Sequence, residues 1–558
     1  MNIYKKSLLY GVMAMTLCTN SGCNSNIDLE PQGFISVDGY FKSPADYEKS
    51  LTALYNRFCY GDNDLWIDGV TDNGTVTHSW NRGYDFSRGF ATSTADFAQY
   101  KWGDGYVAIN RANTVINNID NYEWPGGESN AERNRILGEA IVVRDYIYME
   151  LAALYGRIMF FTKNPETVEE SREVKQTEGP KEVFDFILDD LKIAIAGLPE
   201  KPANKSKVSK PAARLLRARC AAYAAGYLND KSYFSITLEE TQQLLANASL
   251  SDDFGKLFRT GCQDEDEVIM VKDFSIDYKN GWGQWYNQSL GGYCVTTPIK
   301  SMADAFEYME DKGGRNNDLP YLNKDPRFYE TMYAPGSEMR GRYFNSIPNN
   351  VEEKDGRWYF KSTGAYGKFQ DKSVIIGDVL SEGGGGEWNK TQTGLTWKKF
   401  FAEDETWSTW NAFVIFRYAE AYLLRAEALV ETGGDVAEAK RLVKAIRDRA
   451  GNTNDIDEAV AKFYNGSLRD LIRNERRVEF AQEGYRLYDI RRWHIMLDVM
   501  NKPMEGIEYK DTETGKHVVL QLPGGERGTF KEKDYWWPIP QAELDLNPGT
   551  MTQTAGWE

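Results

Sequence analysis

Residues 417–451 read RYAEAYLLRAEALVETGGDVAEAKRLVKAIRDRAG. From Phe416 to Glu431 the apolar positions Ala419, Tyr422, Leu423, Ala426 and Val430 recur at three- and four-residue spacing, the stripe of an amphipathic helix. Gly433-Gly434 stops it. Asp435 then stands three residues before Glu438, the spacing of a capping box, in which an N-cap acceptor and an N3 acid satisfy each other's free N–H groups. A second stripe follows through Ala439, Leu442, Val443 and Ile446 and ends at Gly451. Two helices of this length across a tight glycine turn predict an antiparallel pair. The alanines in their seam let the backbones approach, as in a tetratricopeptide hairpin, although the full repeat consensus is missing.

The same periodicity runs outward from that pair. Pro44–Phe58 places Tyr47, Leu51, Leu54 and Tyr55 on one face, and Ala98–Ile119 does so with Tyr106, Ile109, Ala112, Asn113 and Ile116. Arg135–Leu154, Val183–Leu198 and the alanine-rich Val208–Leu228 continue it. Between about residues 250 and 409 the texture changes to Gly, Asn, Asp and aromatics, as in GWGQWYNQSLGGYC, GRYFNSIPNN and SEGGGGEWNK. The expected fold is mainly α, built of degenerate tetratricopeptide-like helix pairs with a large loop-rich insertion. The helical scaffold is placed at about 41–245 and 410–500, within one body spanning 41–558 that ends in a closing segment at 501–558.

Composition narrows the function. The chain has 558 residues, a net charge of −17 and 13% aromatic residues, among them 15 Trp, 33 Tyr and 26 Phe. Acidic surfaces repel phosphate backbones, so no nucleic-acid partner is expected. The aromatic content is that of a folded chain with material for stacking surfaces. Three histidines, His78, His494 and His517, lie far apart, and neither HExxH nor CxxC occurs. No metal site and no cofactor is therefore expected. GxSxG and GxxxxGK[ST] are also missing, and the 383–386 glycine run lacks the lysine and strand–helix context of a phosphate loop. Two carboxylates on separate loops would escape such a search, so a glycosidase stays open.

The N-terminus reads as a leader. Lys5 and Lys6 precede the short apolar run SLLYGVMAMTL at 7–17, too short to span a bilayer, and Ser21-Gly22 then precede Cys23. Residues 1–22 are expected to be a lipoprotein signal peptide, with Cys23 lipidated and 23–40 a tether. Asn20 stands where such sites carry an aliphatic residue, which leaves the cleavage point open, and an ordinary cleaved signal is the other reading. Cys59, Cys220, Cys262 and Cys294 show no disulfide framework.

NERRVEFAQEGYRLYDIRRW at 474–493 resembles the signature of the SusD/RagB family of outer-membrane nutrient-binding lipoproteins. The helix pair at 417–451, WWPIPQAELDLNPG at 536–549, GEAIVVRDYIYMEL at 138–151 and DPRF at 325–328 are similar to further family blocks. Trp102, Tyr106, Ile109, Asn110, Ala112 and Asn113 fit its W-x3-Y-x2-I-N-x-A-N pattern. The resemblance covers nearly the whole mature chain. It implies a non-enzymatic, surface-exposed lipoprotein of the outer membrane that captures oligo- or polysaccharide and delivers it to a SusC-like TonB-dependent transporter. A peptide-binding member of the same fold and a surface glycosidase are the alternatives.

Candidate ligand contacts fall in two segments. The first holds Asp72, Asn73, His78, Trp80, Asn81 and Tyr84, just before the W-x3-Y helix, where family members place a sugar-contacting aromatic. An indole in a polar loop can stack on a sugar ring while amides read its hydroxyls, or it can plug the loop onto the core. The second segment holds Trp282, Trp285, Tyr286 and Tyr293 among glycines, either as an exposed platform or as core filling. Trp358, Trp388 and Trp397 are weaker candidates, and Trp536 and Trp537 read as structural. The charged run at 475–492 reads as a structural clamp, because guanidinium–carboxylate forks tie segments together.

Overall fold

The computed structural model describes residues 37–58, 67–286, 291–375, 389–401, 410–522 and 527–558. The leader, most of the tether, Cys23, Cys59, the 383–386 glycine run and Trp388 lie outside them.

Eight helices form the scaffold: α1 (Pro44–Tyr55), α2 (Asp96–Asn117), α3 (Ala131–Tyr155), α4 (Lys181–Gly197), α5 (Lys210–Tyr227), α6 (Phe234–Leu245), α7 (Tyr418–Thr432) and α8 (Val436–Arg449). From α2 onward each packs on the next in sequence, which is the stacking of helix pairs that the 417–451 pattern predicted. α1 lies against α2 and α3. α3 is buried on nearly every face, from Ile136 to Tyr155, so it forms the axis of the core. In α5 the alanines at 212, 213, 218, 221, 222, 224 and 225 are buried, and they permit close approach of its neighbours.

The α6–α7 step is the unusual one. These helices pack directly on each other although residues 246–417 intervene. The intervening segment is not merely loops. It carries short strands, most of them two to five residues long, of which Val268–Lys272 (β2) pairs antiparallel with Phe413–Arg417 (β4), closing the insertion where it begins and ends. Strands this short lack the alternating run that marks a strand in sequence. A hairpin, Glu505–Lys510 with His517–Gln521, lies in the C-terminal segment.

One local detail corrects an expectation. Asp435 does cap α8, accepting from the backbone N–H of Ala437 and Glu438. The Glu438 carboxylate, however, accepts from Arg425 Nε on α7 at 2.6 Å, so the charge-assisted bond displaces the expected capping-box partner. Ser467 caps the helix Leu468–Glu479, whose C-cap is Phe480. Gly484, at φ +85°, turns the chain into the next helix, Arg486–Arg492.

Candidate functional site

The charged run at 475–492 is a buried clamp. Glu479 accepts from Arg417 Nη1 at 2.6 Å, from Arg327 Nη1 at 2.9 Å and from Arg449. Glu483 binds Arg417 and Lys399, and Glu475 binds Arg327. These pairs tie the insertion to the last scaffold helices. The neighbouring Arg477 and Arg486 reach outward to the loop at 67–84. Arg486 holds the Asp72 carboxylate through two bonds of 2.8 Å, and Arg477 donates to Asn73 Oδ1 and to the Asp72 carbonyl.

Asp72 and Asn73 are thus buried under the site rather than open to a ligand. This corrects their placement among the ligand contacts: a short polar pair in a loop looks the same in sequence whether it faces solvent or a buried arginine. The two guanidinium groups hold the Asp72 carboxyl well below its usual range despite burial. Asp68 forms no ion pair among the described residues, and burial pushes it up to about 7 against the weaker pull of Lys399 and Arg486 and the bond it accepts from the Gln482 backbone N–H.

From this anchored turn the chain enters Gly74–Val76 (β1), which pairs antiparallel with Thr296–Pro298 (β3). The pairing extends past β1: Thr77 donates its N–H to the Val295 carbonyl and its hydroxyl to that of Cys294. The next residue on one chain is His78, and on the other Tyr293. Residues 215 positions apart in sequence therefore meet, and the imidazole shares a hydrogen bond with the Tyr293 backbone. Sequence spacing alone gave no sign of this.

Trp80 projects from the following turn, 61% exposed, its ring nearly parallel to that of His78 at a centroid distance of 5.2 Å and an angle of 4°. The imidazole backs the indole, and burial lowers the His78 pKa from its ordinary value near 6.5. The ring beneath Trp80 is accordingly neutral at pH 7. Asn81 is buried in the same turn, and its amide nitrogen has no hydrogen-bond partner among the described residues. Gly83, at φ +80°, folds the chain back so that a Cβ would meet Val70 at 2.9 Å. Half-buried Tyr84 then starts a short helix and lies under Arg88.

The second segment divides. Trp282, Trp285 and Tyr286 are at most 1% exposed, with Trp282 packed against Phe274, Phe400 and Phe413 and Tyr286 against Phe401. They are core residues, which corrects the expectation of a glycine-spaced platform: their ring area is taken up by the insertion's own interior. Only Tyr293 remains at the surface, half-buried. The glycines also act differently from a bendable spacer. At Gly292 a Cβ would lie 2.2 Å from the Tyr286 carbonyl oxygen, so the backbone is seated directly on the preceding turn. Cys294 follows at φ +47°, and its N–H donates to that same Tyr286 carbonyl at 2.8 Å.

Trp397 is buried and Trp358 half-buried, while Trp537 is buried in the core as expected of the closing motif. Sequence reading missed Tyr100, whose ring lies 4.1 Å from the Arg82 guanidinium; Arg82 also pairs with Asp96 at 2.9 Å. It missed as well a cleft of about 310 Å³ in the insertion, lined by Tyr321, Tyr329, Tyr366, Phe369, Ser337 and Lys398. Neither carries a motif, because each is assembled from separate turns.

Sequence comparison meets this geometry at both ends of the chain. The model described as "SusD family" matches residues 266–557, and that described as "Starch-binding associating with outer membrane" matches 38–221. The chain belongs to the SusD family. Among SusD relatives, the SusD-like protein P25 of Formosa agariphila is 24% identical over 96% of this chain and 95% of its own length. A SusD-like protein of Bacteroides ovatus is 23% identical over 98% of each chain. The SusD fold is shared with a SusD-like carbohydrate binding protein of Bacteroides fragilis (TM-score 0.74, 21% identity, 92% of this chain and 100% of that one). It is shared too with surface glycan-binding protein A of Bacteroides uniformis (TM-score 0.64, 18% identity, 92% and 100%).

Proposed function

We propose that this SusD-family chain is a non-catalytic glycan-binding lipoprotein of the outer membrane. The surface around Trp80 captures oligosaccharide by stacking, with Tyr84 and Tyr293 at its edges and Asn81 supplying an amide donor. The observation that carries the reading is the exposed Trp80 indole held parallel to a neutral imidazole, on a turn fixed from below by Asp72 and Arg486. A flat, pre-set aromatic face loses little freedom on binding and matches the C–H face of a sugar ring. Relatives described as carbohydrate- or glycan-binding support the same ligand class.

Residues 1–22 would be removed as a leader and Cys23 lipidated, leaving 23–40 as a tether for the single body at 41–558. Held at the membrane, a weak site gains retention from surface density and from a TonB-dependent, SusC-like transporter to which the glycan is passed. Calorimetric titration of the soluble mature chain against plant, microbial and host glycans tests the reading. Saturable heat with a glycan, lost in Trp80→Ala, is the expected result. Turnover of a labelled oligosaccharide, or binding of peptides in place of glycans, would overturn it.

A further inference from the structure

The cleft in the insertion is built from side chains that the Trp80 surface does not use. Its walls come from four separate stretches, 319–329, 335–338, 366–369 and Lys398. Its volume of about 310 Å³ stands at the lower end of the roughly 300–1,000 Å³ typical of small-molecule sites. The half-buried Tyr329 and Phe369 give it aromatic faces, backed by the buried Tyr321 and Tyr366. Tyr366 is stacked on Phe360 at a centroid distance of 5.2 Å, so packing fixes that wall. Gly336, at φ +88°, lets its turn lie directly on the Tyr366 ring, where a Cβ would sit 3.2 Å away.

Three polar groups stand among these rings. Ser337 Oγ accepts the Ala334 backbone N–H at 3.0 Å and keeps its own hydroxyl proton to give. The Lys398 ammonium spends two donors, on the Tyr329 carbonyl at 2.7 Å and the Glu330 carboxylate at 3.2 Å, and retains a third. Glu338 pairs with Lys372 through one carboxylate oxygen, and its side chain is more than half exposed. Such a lining selects among ligands. A hydrocarbon would strand the polar groups away from water, an anion would meet Glu338, and a cation would meet Lys398. A neutral polyhydroxylated ring suits all of them, because its C–H faces cover the aromatic rings while its hydroxyls both give and accept.

We propose that this cleft is a second carbohydrate site, taking one or two units of a neutral glycan chain. The inference rests on the glycan-binding reading of the chain and adds a site that shares no residue with the Trp80 surface. One stretch of chain touches both. Trp397 reaches the anchored turn, where a Cβ on Gly74 would lie 3.4 Å from its ring, and the next residue, Lys398, lines the cleft. Two weak sites on one body raise the retention of a glycan long enough to reach both.

The test is saturation-transfer NMR on the mature chain, with maltose, cellobiose, mannobiose and xylobiose as probes and dialanine as control. Trp80→Ala silences the stacking turn, so transfer that remains reports the second site. The expected result in Trp80→Ala is transfer to at least one disaccharide and none to dialanine, lost when Ser337→Trp is added to plug the cleft. A crystal of the unaltered chain soaked in that disaccharide should show it against Tyr329 and Phe369, and this decides if the double variant does not fold. Binding by the unaltered chain that Trp80→Ala abolishes for every probe would overturn the cleft site and leave the Trp80 reading standing. Transfer that survives Ser337→Trp, or goes to dialanine alone, would also overturn it. Silence of the unaltered chain toward all four disaccharides would count against both sites.

Discussion

The Asp72 carboxylate and the Arg486 guanidinium meet in a two-pronged pair, both bonds 2.8 Å long and both side chains buried. Through it the loop that presents Trp80 is fastened to the helix Arg486–Arg492. Asp72→Ala leaves Arg486 and Arg477 facing an empty site, and the expected cost is about 3–5 kcal/mol of folding stability. Chemical denaturation measures it. The double variant with Arg486→Met should recover part of that loss, because the stranded charge is gone.

Acid and alkali act oppositely on the two aspartates of this loop. Asp72 has a lowered pKa, so its stabilisation is complete above its ordinary value of 3.8 and fades as pH falls below that. Asp68 is raised from 3.8 to about 7, so folding favours its neutral form and stability falls as pH climbs through this interval, then levels off. One proton is involved, so the slope from Asp68 is at most about 1.4 kcal/mol per pH unit. Unfolding free energies between pH 4 and 7 should show a shallower decline with pH in Asp68→Asn than in the unaltered protein.

Glycan affinity should depend on Trp80 far more than on the buried indoles. Trp80→Ala is expected to weaken binding by about 2 kcal/mol, the range of a single dominant contact, with little change in melting temperature because the ring is mostly exposed. Trp285→Ala should do the reverse, costing about 3–5 kcal/mol of stability as a core cavity. Titration and melting curves of the two variants separate the roles; a Trp80 variant that binds normally would remove the stacking proposal.

The affinity should change little between pH 8 and pH 7 and change on acidification. The His78 imidazole, its pKa lowered by burial below the ordinary 6.5, is mostly neutral at pH 7 and above and gains charge as the pH falls. Titration of the same glycan at pH 5.5, 7 and 8 checks this.

Gly292→Ala probes the join between the two segments. An added Cβ would press on the Tyr286 carbonyl at 2.2 Å, and the 292–294 backbone must move. Since that backbone sets Tyr293 beside His78, the variant should lose both stability and glycan affinity, whereas Gly291→Ala, at φ +86° in an exposed position, should show the cost of backbone strain.

The helix pairs could be read directly from the chain because a 3.6-residue stripe is a local property: Tyr47, Leu51 and Leu54, or Ala439, Val443 and Ile446, announce their buried face within a few turns. The exposed Trp80 was also visible as an indole outside any stripe. Burial in irregular segments was not. Trp282 and Trp285 sit among glycines and polar residues like surface rings, yet both are buried, Trp282 against the distant Phe400 and Phe413. Asp72 was misplaced for the same reason, its partner Arg486 lying 414 positions away. The meeting of His78 and Tyr293 depends on a three-residue strand pair, too short to leave a periodic trace.

The direct packing of α6 on α7 across residues 246–417 separates two kinds of inheritance. The departure and return points of that excursion are neighbours, and the entropy of closing such a loop grows only with the logarithm of its length. The spine therefore scarcely registers how long the excursion is or what it displays. Turns within the excursion can therefore be exchanged at little cost to the spine, provided the few anchoring charges, such as Glu267, Arg327 and Lys399, are kept in place.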